Sequence, residues 1–324
     1  MARVPDPAPS AEDLDTLRGP LTGYCYRMLG SAADTDDAVQ ETLIRAHRHR
    51  ARFDPARASL STWVHAIATS VCLDLLRGAK RRALLAPTAA SRPGPDIGTP
   101  LPADEWLEPM PDSRVVYATD PAEAAIQKDT VRLAFLVALQ YLPPRQRAVL
   151  LLREVYGFSA KEVAEALDLS VAAANSALQR ARRTLAQHRP SPEEVTTADD
   201  EQEQLLRRYI AAFETHDVDA LRELLRADTV SSMPPFAWWL SGRADVIAAF
   251  AGTDACLFDR LLPTRVNGTI GFGQYRPGED GVLRPFAIVA LELRDGAVAH
   301  TVTFLGSSGR FAEFGLPDEL PPHR

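Results

Sequence analysis

The middle of the chain, from residue 142 to residue 186, places apolar residues at helical spacing in three successive segments. The first segment predicts a helix from about Arg145 to Tyr156, and Gly157 follows where a helix end favours a left-handed residue. The second segment opens on a capping box formed by Ser159 and Glu162, so a short helix should begin there. The pattern therefore predicts a scaffold of two short helices ahead of a third.

The third segment predicts a longer helix that begins after Ser170, whose side chain can cap the first turn. An apolar stripe on one side of this helix is formed by Val171, Ala174, Leu178, Ala181 and Leu185. The opposite face carries small, amide-bearing and basic side chains, as helices that enter the DNA major groove do. The predicted DNA contacts are Ser170, Asn175, Ser176, Gln179, Arg180 and Arg183.

The alternative interpretation of this segment is a surface helix whose arginines are only solvated. Residues 145–189 include eight basic and four acidic residues, a local basic excess in a chain whose net charge is −7. Because the caps, the turn and the basic face all agree, a DNA-binding helix-turn-helix is the favoured interpretation.

The composition indicates a soluble protein of two or three domains. The chain has 324 residues, 46% of them hydrophobic, and no apolar run is long enough to span a membrane. The first residues lack the basic and apolar regions of a signal peptide, which predicts a cytoplasmic protein with no membrane partner. The three cysteines are isolated and the histidines show no metal-ligand spacing, so neither a metal nor a cofactor is expected.

Breaks in the pattern divide the chain into four parts. Residues 12–82 have helical periodicity, and residues 83–121 contain eight prolines, which predicts an extended and mobile connector. The helix-turn-helix unit occupies residues 122–189. A second break at residues 188–202 precedes a segment of two helices and several short strands at residues 199–320.

The net charge follows the same division. Residues 199–324 carry 12 basic and 19 acidic side chains, whereas residues 1–198 carry 24 of each. Contact with polyanionic nucleic acid is therefore expected in the part of the chain that precedes residue 199.

The amino-terminal block makes the prediction more specific. Its sequence is LTGYCYRMLGSAADTDDAVQETLIRAHRHRARFDPARASLSTWVHAIATSVCLDLLRGAKRR. This block resembles region 2 of the extracytoplasmic-function (group IV) sigma factors, and residues 142–186 resemble their region 4, in the family's order and spacing. The resemblance implies a factor that binds core RNA polymerase and directs promoter-specific transcription initiation. Region 2 would open the minus-ten element and region 4 would contact the minus-thirty-five element, while polymerase performs the catalysis, so no enzymatic activity is expected.

In that family, the helix that matches DTDDAVQETLIRAHR docks on the clamp helices of the polymerase beta-prime subunit, and region 4 docks on the beta flap. Here Val39, Leu43 and Ala46 form the apolar stripe of this helix. The residues that the resemblance assigns to the polymerase contact are Asp37, Gln40, Glu41, Ile44 and Arg45. On the pattern alone, an ordinary amphipathic surface helix is an equally good interpretation.

The resemblance also implies that residues 53–58 form a loop that captures a flipped base of the minus-ten element. The helix after this loop begins near Ser59 or Ser61 and is predicted to bury Trp63, Val64, Ile67 and Val71. The side chains expected to point outward are Thr62, His65, Thr69 and Arg77, with Ser70 at the edge. The DNA contacts assigned to this region are Arg57, Thr69, Ser70, Arg77 and Arg81.

The chain departs from the common family pattern in this helix. Ser70 stands where many members have asparagine, and His65 and Ala66 replace a frequent tyrosine–arginine pair. The preferred minus-ten sequence therefore stays open. We interpret His65 as a surface or partly packed histidine rather than as a residue that contacts bases.

The carboxy-terminal segment resembles the SnoaL-type, polyketide-cyclase-like domains, which have a cone-shaped α+β fold. Arg294-Asp295-Gly296 predicts a hairpin turn between two alternating strands, as that fold requires. The predicted fold class is thus multidomain, with two all-α domains (a region 2 bundle and a region 4 helix-turn-helix) and a carboxy-terminal α+β cone. Several sigma factors of this type carry such a domain as a fused regulator that contacts a tryptophan–proline motif in their connector. The matching residues are Trp106, Leu107, Glu108 and Pro109, so we expect the fused domain to dock there and regulate activity.

Two other functions stay open from the sequence. Side chains that could line a pocket of the fused domain, for catalysis or for a small apolar ligand, are Phe236, Trp238, Trp239 and His300. His300 shares a predicted strand face with Val298, Val302 and Phe304, which favours a core histidine over a proton carrier. The other alternative is a helix-turn-helix regulator that binds DNA without polymerase.

Overall fold

The computed structural model describes residues 8–79, 81–84, 89–94, 96–188 and 199–322, and the chain divides into two compact units. The helical unit comprises Met1–Arg81 and Arg114–Arg189, and the sheet unit comprises Arg82–Ser113 and Pro190–Arg324. Most of the predicted break at residues 188–202 lies outside the described residues. The predicted connector at residues 83–121 is shared between the two units, and its first part belongs to the sheet unit.

The helical unit contains ten helices among its described residues, with α5 on the boundary of the unit. They are α1 (Ala11–Asp15), α2 (Arg18–Leu29), α3 (Ala32–His49), α4 (Leu60–Leu75), α5 (Asp112–Val115), α6 (Pro121–Val131), α7 (Leu133–Gln140), α8 (Pro144–Leu150), α9 (Ala160–Ala166) and α10 (Val171–His188). The all-α fold predicted for the two blocks is confirmed. The two blocks also pack against each other, because α4 contacts α9 and α2 contacts α6, α7 and α8.

Serine caps set several of these helix starts. Ser59 accepts a hydrogen bond from the Thr62 amide at 3.0 Å, which fixes the start of α4. The predicted capping box at α9 is confirmed, since Ser159 and Glu162 each accept the other's amide, at 3.2 and 2.8 Å. Ser170 accepts the Ala173 amide at 3.1 Å and so caps α10 as predicted.

The first helix of the predicted helix-turn-helix changes its winding halfway along. After α8 the chain continues as a π-helix over Leu151–Val155. The amide of Tyr156 donates to the Leu151 carbonyl at 3.0 Å, five residues back instead of four. The wider winding shifts the residues that follow, and both Tyr156 and Phe158 contact ring groups of α2 or α4. Sequence periodicity did not predict this change.

The sheet unit contains α11 (Asp199–Glu214), α12 (Val218–Leu224), β1 (Leu225–Ser232), β2 (Trp239–Ser241), α13 (Arg243–Ala251), β3 (Arg260–Val266), β4 (Thr269–Pro277), β5 (Leu283–Arg294) and β6 (Ala297–Phe304). The strand order is β2-β1-β6-β5-β4-β3, with β1 and β6 parallel and the other pairs antiparallel. A core between the helices and one sheet face includes Leu205, Tyr209, Phe250, Phe272, Val289 and Leu291. The predicted α+β class is therefore confirmed.

Two hairpin turns rest on left-handed residues. Asp295 and Gly296 have φ of 52° and 70°, which confirms the predicted turn between β5 and β6. Asn267 and Gly268 have φ of 54° and 70° and form the corresponding turn between β3 and β4. These are positions where asparagine, aspartate and glycine are favoured over other residues.

A register shift between β5 and β6 corrects the predicted surroundings of His300. Leu293 is paired with Val298, whereas Glu292, the preceding residue, is paired with His300. The one extra residue in β6 places Val298 on the core face with Leu293, and His300 on the opposite face. The prediction that Val298 and His300 share a face was wrong, because strict alternation fails at a bulge.

Candidate nucleic-acid interface

The polar face of α10 is open to solvent. The six residues predicted to contact DNA are all exposed, namely Ser170, Asn175, Ser176, Gln179, Arg180 and Arg183. Ala174, Ala177, Leu178 and Ala181 are buried on the other side and hold the helix against the unit. Val171, predicted to belong to the apolar stripe, is instead 44% exposed at the first turn.

The charges on α10 differ in their partners. Arg182 pairs with Glu154 at 2.5 Å, so it fastens α10 to the π-helix. Arg180 and Arg183 make no ion pair with any residue in the described part of the chain. Their guanidinium groups are therefore available as donors to phosphate or guanine, the acceptors that arginine favours in DNA.

Residues on α4 were predicted to face outward, and three of them do not. Thr62, His65 and Thr69 are buried, at 5%, 1% and 0% exposure. The hydroxyl of Thr69 donates to the His65 carbonyl at 2.7 Å and accepts from the Tyr24 hydroxyl at 2.6 Å. The assignment of Thr69 as a DNA contact is corrected, because α4 packs against α2, α3 and α9.

The other predicted DNA contacts of this region remain at the surface. Ser70 and Arg77 are exposed on α4, and Arg57 is exposed in the loop that precedes it. Arg77 pairs with Asp74 at 2.5 Å. Arg81 is exposed and its guanidinium lies 4.2 Å from the centre of the Tyr141 ring. Arg57, Ser70, Arg77 and Arg81 thus remain predictions for DNA contact.

His65 is enclosed by three aromatic rings. Its ring centre lies 5.4 Å from that of Tyr24, 5.0 Å from that of Tyr156 and 5.3 Å from that of Phe158. Nδ1 lies 2.8 Å from the Ser61 carbonyl oxygen, whereas Nε2 is buried without a partner among the described residues. Burial lowers the pKa of His65 from 6.5 to about 4. His65 is thus packed more completely than we expected, and in this arrangement it is not available to contact bases.

Polar contacts join the amino-terminal helices to the helix-turn-helix. Thr62 donates to Glu162 at 2.8 Å, and hydrogen bonds from Ser159 and from Thr62 hold the pKa of that carboxyl below its usual range. The Arg27 guanidinium, which is buried, donates to the Thr130 hydroxyl at 2.7 Å and to the Tyr156 hydroxyl at 3.2 Å. These side chains cross between α2, α4, α6 and α9.

A second buried guanidinium belongs to Arg147 on α8. It donates to the carbonyl oxygens of Met28 and Leu142, and burial lowers its pKa to about 10. Within the described chain, neither Arg147 nor Arg27 has a carboxylate partner. Burial of a cation without a carboxylate partner is unfavourable, so both guanidinium groups depend on these hydrogen bonds to neutral oxygens.

The residues predicted to bind polymerase lie along α3. Asp37, Gln40 and Ile44 are exposed, with Ile44 at 43%, while Glu41 and Arg45 pair with each other at 2.5 Å. An open groove of about 670 Å³ runs beside them between α1 and α3. It is lined by Leu14, Asp15, Arg18, Gln40, Leu43 and Ile44, among others. The surface combines an apolar centre with a polar rim, as protein interfaces do.

The connector is clamped by the turn between β3 and β4. The Met110 amide donates to Oδ1 of Asn267 at 3.1 Å, and the Asn267 amide donates to the Met110 carbonyl at 3.0 Å. The amide of Gly268 donates to Asp112 at 2.7 Å, and Pro111 bridges to Val266. Met110 is fully buried, so its backbone groups depend on these partners.

The four connector residues predicted to contact the fused domain lie just before this clamp. Trp106 and Leu107 are buried in the sheet unit, and Arg310 donates to the Pro109 carbonyl at 3.3 Å. Arg310 also lies 4.0 Å from Glu108. The sequence did not reveal the roles of Met110, Asn267 and Arg310. The Asn-Gly pair signalled a tight turn, but no local pattern could name the segment that the turn would hold.

The proposed pocket residues of the fused domain lie in different surroundings, and only Trp239 is placed on the sheet face of His300. Nε2 of His300 lies 2.8 Å from the Ser232 hydroxyl, on the sheet face opposite Tyr209 and the core. Trp239 is paired with Ser232 and shares that face, whereas Trp238 is buried and Phe236 bridges to Pro100. Burial lowers the pKa of His300 to about 4. These residues therefore do not form one acid–base site.

Two features are absent from the residues that the structure describes. None of their helices is long and apolar enough to cross a membrane. They hold no cluster of three or more histidine, cysteine, aspartate or glutamate side chains suited to a metal ion.

Known protein families and relatives match most of this chain. The Sigma-70 region 2 family matches residues 14–82, and the Sigma-70, region 4 family matches residues 132–185. ECF RNA polymerase sigma factor SigG of Mycobacterium tuberculosis is 42% identical over 318 residues, which covers 94% of this chain and 83% of that protein. ECF RNA polymerase sigma factor SigJ of the same organism is 29% identical and covers 88% of each chain.

A solved structure extends the likeness to the fold. The crystal structure of Mycobacterium tuberculosis extracytoplasmic function sigma factor SigJ aligns with a TM-score of 0.58 at 25% identity. The alignment covers 91% of this chain and 96% of that one, so it includes the carboxy-terminal α+β domain as well as the helical blocks.

Proposed function

The chain belongs to the extracytoplasmic-function (ECF) family of RNA polymerase sigma factors, which direct promoter-specific transcription initiation, and we propose that α10 contacts the minus-thirty-five element. The observation that carries this assignment is the exposed face of α10, where Arg180 and Arg183 lack ion-pair partners in the described chain. Sigma factors position polymerase and are not enzymes in general, so the contacts of this chain determine which promoter is used.

The test of this proposal is run-off transcription with core polymerase. Arg180→Ala and Arg183→Ala should each lower initiation from a promoter found with the native chain, because each removes a phosphate or base contact. The matched control is Arg222→Ala, which removes an exposed arginine from α12 in the sheet unit. Equal activity of all three variants and the native chain would contradict the assignment.

The polymerase contact is proposed for the surface of α3. The exposed Ile44 beside an open groove supports it, since an apolar anchor with polar neighbours is what a partner helix needs. Asp37, Gln40, Glu41 and Arg45 supply the rim. The beta-prime clamp helices are the proposed occupant of this surface, and the beta flap is the proposed partner of the helix-turn-helix.

Both promoter contacts require the helical unit to open. The minus-ten and minus-thirty-five elements lie about 25 base pairs apart, or roughly 85 Å along B-form DNA. In the packed unit, however, α4 and α9 are joined directly through Thr62 and Glu162. We therefore infer that this packing is the inactive arrangement, and that α4 separates from α9 when polymerase and promoter are bound.

The sheet unit is proposed to regulate this opening through the connector. The clamp on Met110 by Asn267, and the contact between Arg310 and Pro109, support such a role. A connector held against the sheet is shorter than a free one, so docking should restrain the separation of the two promoter contacts. Deletion of residues 199–324 should raise run-off transcription at limiting factor concentration, and unchanged transcription would contradict this role.

A small apolar ligand bound in the sheet unit is a second proposal for this unit, beside regulation through the connector. One observation favours a mainly apolar ligand that also carries a hydrogen-bonding group: within the described residues, Nε1 of Trp238 and Oγ1 of Thr229 are buried without hydrogen-bond partners. Buried polar atoms of this kind are usually paired by protein, water or ligand. Thermal-shift screening of the chain with apolar compounds, repeated on Trp238→Phe, would test it, and a compound that stabilises both proteins equally would argue against this site.

A further inference from the structure

His65 occupies a position where a second proton on the imidazole would be destabilising. The imidazole is 1% exposed and lies among the rings of Tyr24, Tyr156 and Phe158. Its Nδ1 hydrogen bonds to the Ser61 carbonyl at 2.8 Å, which makes Nδ1 the protonated nitrogen of the neutral ring. Nε2 then carries a lone pair that meets no donor among the described residues.

Protonation at Nε2 would place a new N–H and a full positive charge in this enclosure. The N–H would have no acceptor, and a buried donor left unpaired destabilises the packing that buries it. Two of the three enclosing rings, those of Tyr156 and Phe158, come from the helix-turn-helix block, so separation of α4 from that block would expose the ring to water. The protonated form should therefore favour separation.

The other titratable and charged groups around His65 do not offset this charge. Tyr24 and Tyr156 are buried phenols whose pKa values burial raises, so both are neutral. The Glu162 carboxylate is hydrogen bonded to Ser159 and to Thr62. Thr62 lies on α4, three residues before His65. The buried cation Arg27 donates to the Tyr156 hydroxyl, so the charge beside that ring is also positive.

We propose that His65 is a proton-sensitive latch of the helical unit, which keeps α4 packed against the helix-turn-helix when neutral and releases it when protonated. The inference rests on the proposed opening of this unit and adds a signal that could drive it. Acidification alone would then shift the chain toward the form in which both promoter contacts are available.

The size of the effect follows from linkage. The packed form binds the proton only near pH 4, whereas a solvated histidine binds it near pH 6.5. Packing is therefore most favoured above pH 6.5, and this preference declines as the pH falls from 6.5 toward 4. The ratio of open to packed chains should rise about tenfold between pH 7.5 and pH 5.5.

The experiment measures opening in the full chain. Noncanonical amino acids at the exposed positions Ala51 and Ala186 carry a donor and an acceptor dye, and energy transfer is followed from pH 8 to pH 5. The native chain should lose energy transfer with an apparent midpoint between pH 6.5 and pH 4. His65→Phe keeps the ring and removes the proton site, so its energy transfer should be independent of pH in this range.

The matched control is His49→Phe, the same substitution at a histidine of α3, which should retain the native pH profile. Carbon and nitrogen NMR of the native chain gives a second measurement that needs no variant at residue 65. It should show a neutral His65 with the proton on Nδ1 at pH 7. An Nε2-protonated ring, a pH-independent native chain, or a His65→Phe chain that opens like the native one would each overturn the proposal.

Run-off transcription separates this proposal from the broader one. If the native chain initiates transcription at pH 7.5 but its energy transfer does not respond to pH, the latch is wrong and the sigma-factor contacts stand. If the chain opens with acid but the α10 variants transcribe normally, the promoter assignment fails and the latch stands.

Discussion

Met110 and Asn267 exchange two hydrogen bonds, from the Met110 amide to the Asn267 side chain and from the Asn267 amide to the Met110 carbonyl, at 3.1 and 3.0 Å. One residue is in the connector and the other is at the tip of a β-hairpin, 157 residues later. This reciprocal pair attaches the segment between the two promoter-binding blocks to the carboxy-terminal sheet. Loss of these two hydrogen bonds should therefore loosen the connector before it affects the rest of the sheet unit.

Asn267→Gly should release the connector without disrupting the turn, because glycine keeps the left-handed backbone and removes only the side-chain acceptor. The buried Met110 amide would lose its partner, at a cost of about 1–3 kcal/mol. Cleavage before the exposed Asp104 of the connector by an aspartate-specific endoprotease should become about tenfold faster. The control is Gly296→Asn in the turn between β5 and β6. Asparagine also tolerates the left-handed conformation, so this substitution should leave the cleavage rate unchanged.

Thr69→Val should reduce stability rather than alter promoter choice. Valine fills the same space but removes the hydroxyl that Tyr24 donates to at 2.6 Å, so the free energy of unfolding should fall by about 1–2 kcal/mol. Its neighbour Ser70 is exposed, so Ser70→Ala should change the minus-ten preference at unchanged stability. Urea unfolding and transcription from a minus-ten library distinguish the two. A stable Thr69→Val chain with altered preference would restore Thr69 as a DNA contact.

Ile44→Asp should weaken the binding of core polymerase by about tenfold or more, because it places a charge at the apolar centre of the proposed interface. Ile126→Asp is the matched control, since Ile126 is 53% exposed on α6. Both variants should unfold at the same urea concentration as the native chain. Equal losses of polymerase affinity in the two variants would contradict the proposal that α3 binds polymerase.

The salt dependence of promoter binding by holoenzyme should show which α10 arginines contact phosphates. Each phosphate contact contributes about 0.9 to the slope of log affinity against log salt concentration. Arg183→Ala should therefore reduce the magnitude of the slope by about one if Arg183 contacts a phosphate. Arg182→Ala should have a smaller effect, because Arg182 already pairs with Glu154. The opposite ranking would indicate that Arg182 is the DNA contact.

The stability of the sheet unit should fall with acid because of His300. Burial lowers its pKa to about 4, so the folded unit prefers the neutral ring and is fully stable above pH 6.5. Stability should decline from pH 6.5 toward pH 4, by up to about 3 kcal/mol. His300→Gln should flatten this part of the profile in urea unfolding followed by tryptophan fluorescence. His65→Phe is the control, because it should leave the decline of the sheet unit intact.

The candidate site was predictable wherever a local pattern specifies it. The exposed face of α10 follows from apolar spacing and from the cap at Ser170, both of which depend on neighbours within one helical turn. The buried face of α4 was not predictable in the same way. Thr69 and His65 have polar side chains that favour solvent, and only the partners Tyr24 and Tyr156, distant in sequence, make their burial tolerable.

By itself the sequence determined the helical blocks, the capped helix starts, the α+β class of the last segment and the family to which the chain belongs. These depend on spacing and on short-range hydrogen bonds, which are written into consecutive residues. Only the tertiary structure decided that α4 packs beneath the helix-turn-helix, that His65 is enclosed, and that Asn267 holds the connector. Such contacts join residues tens to hundreds of positions apart, and the side-chain pattern of one segment carries no information about the segment that will cover it.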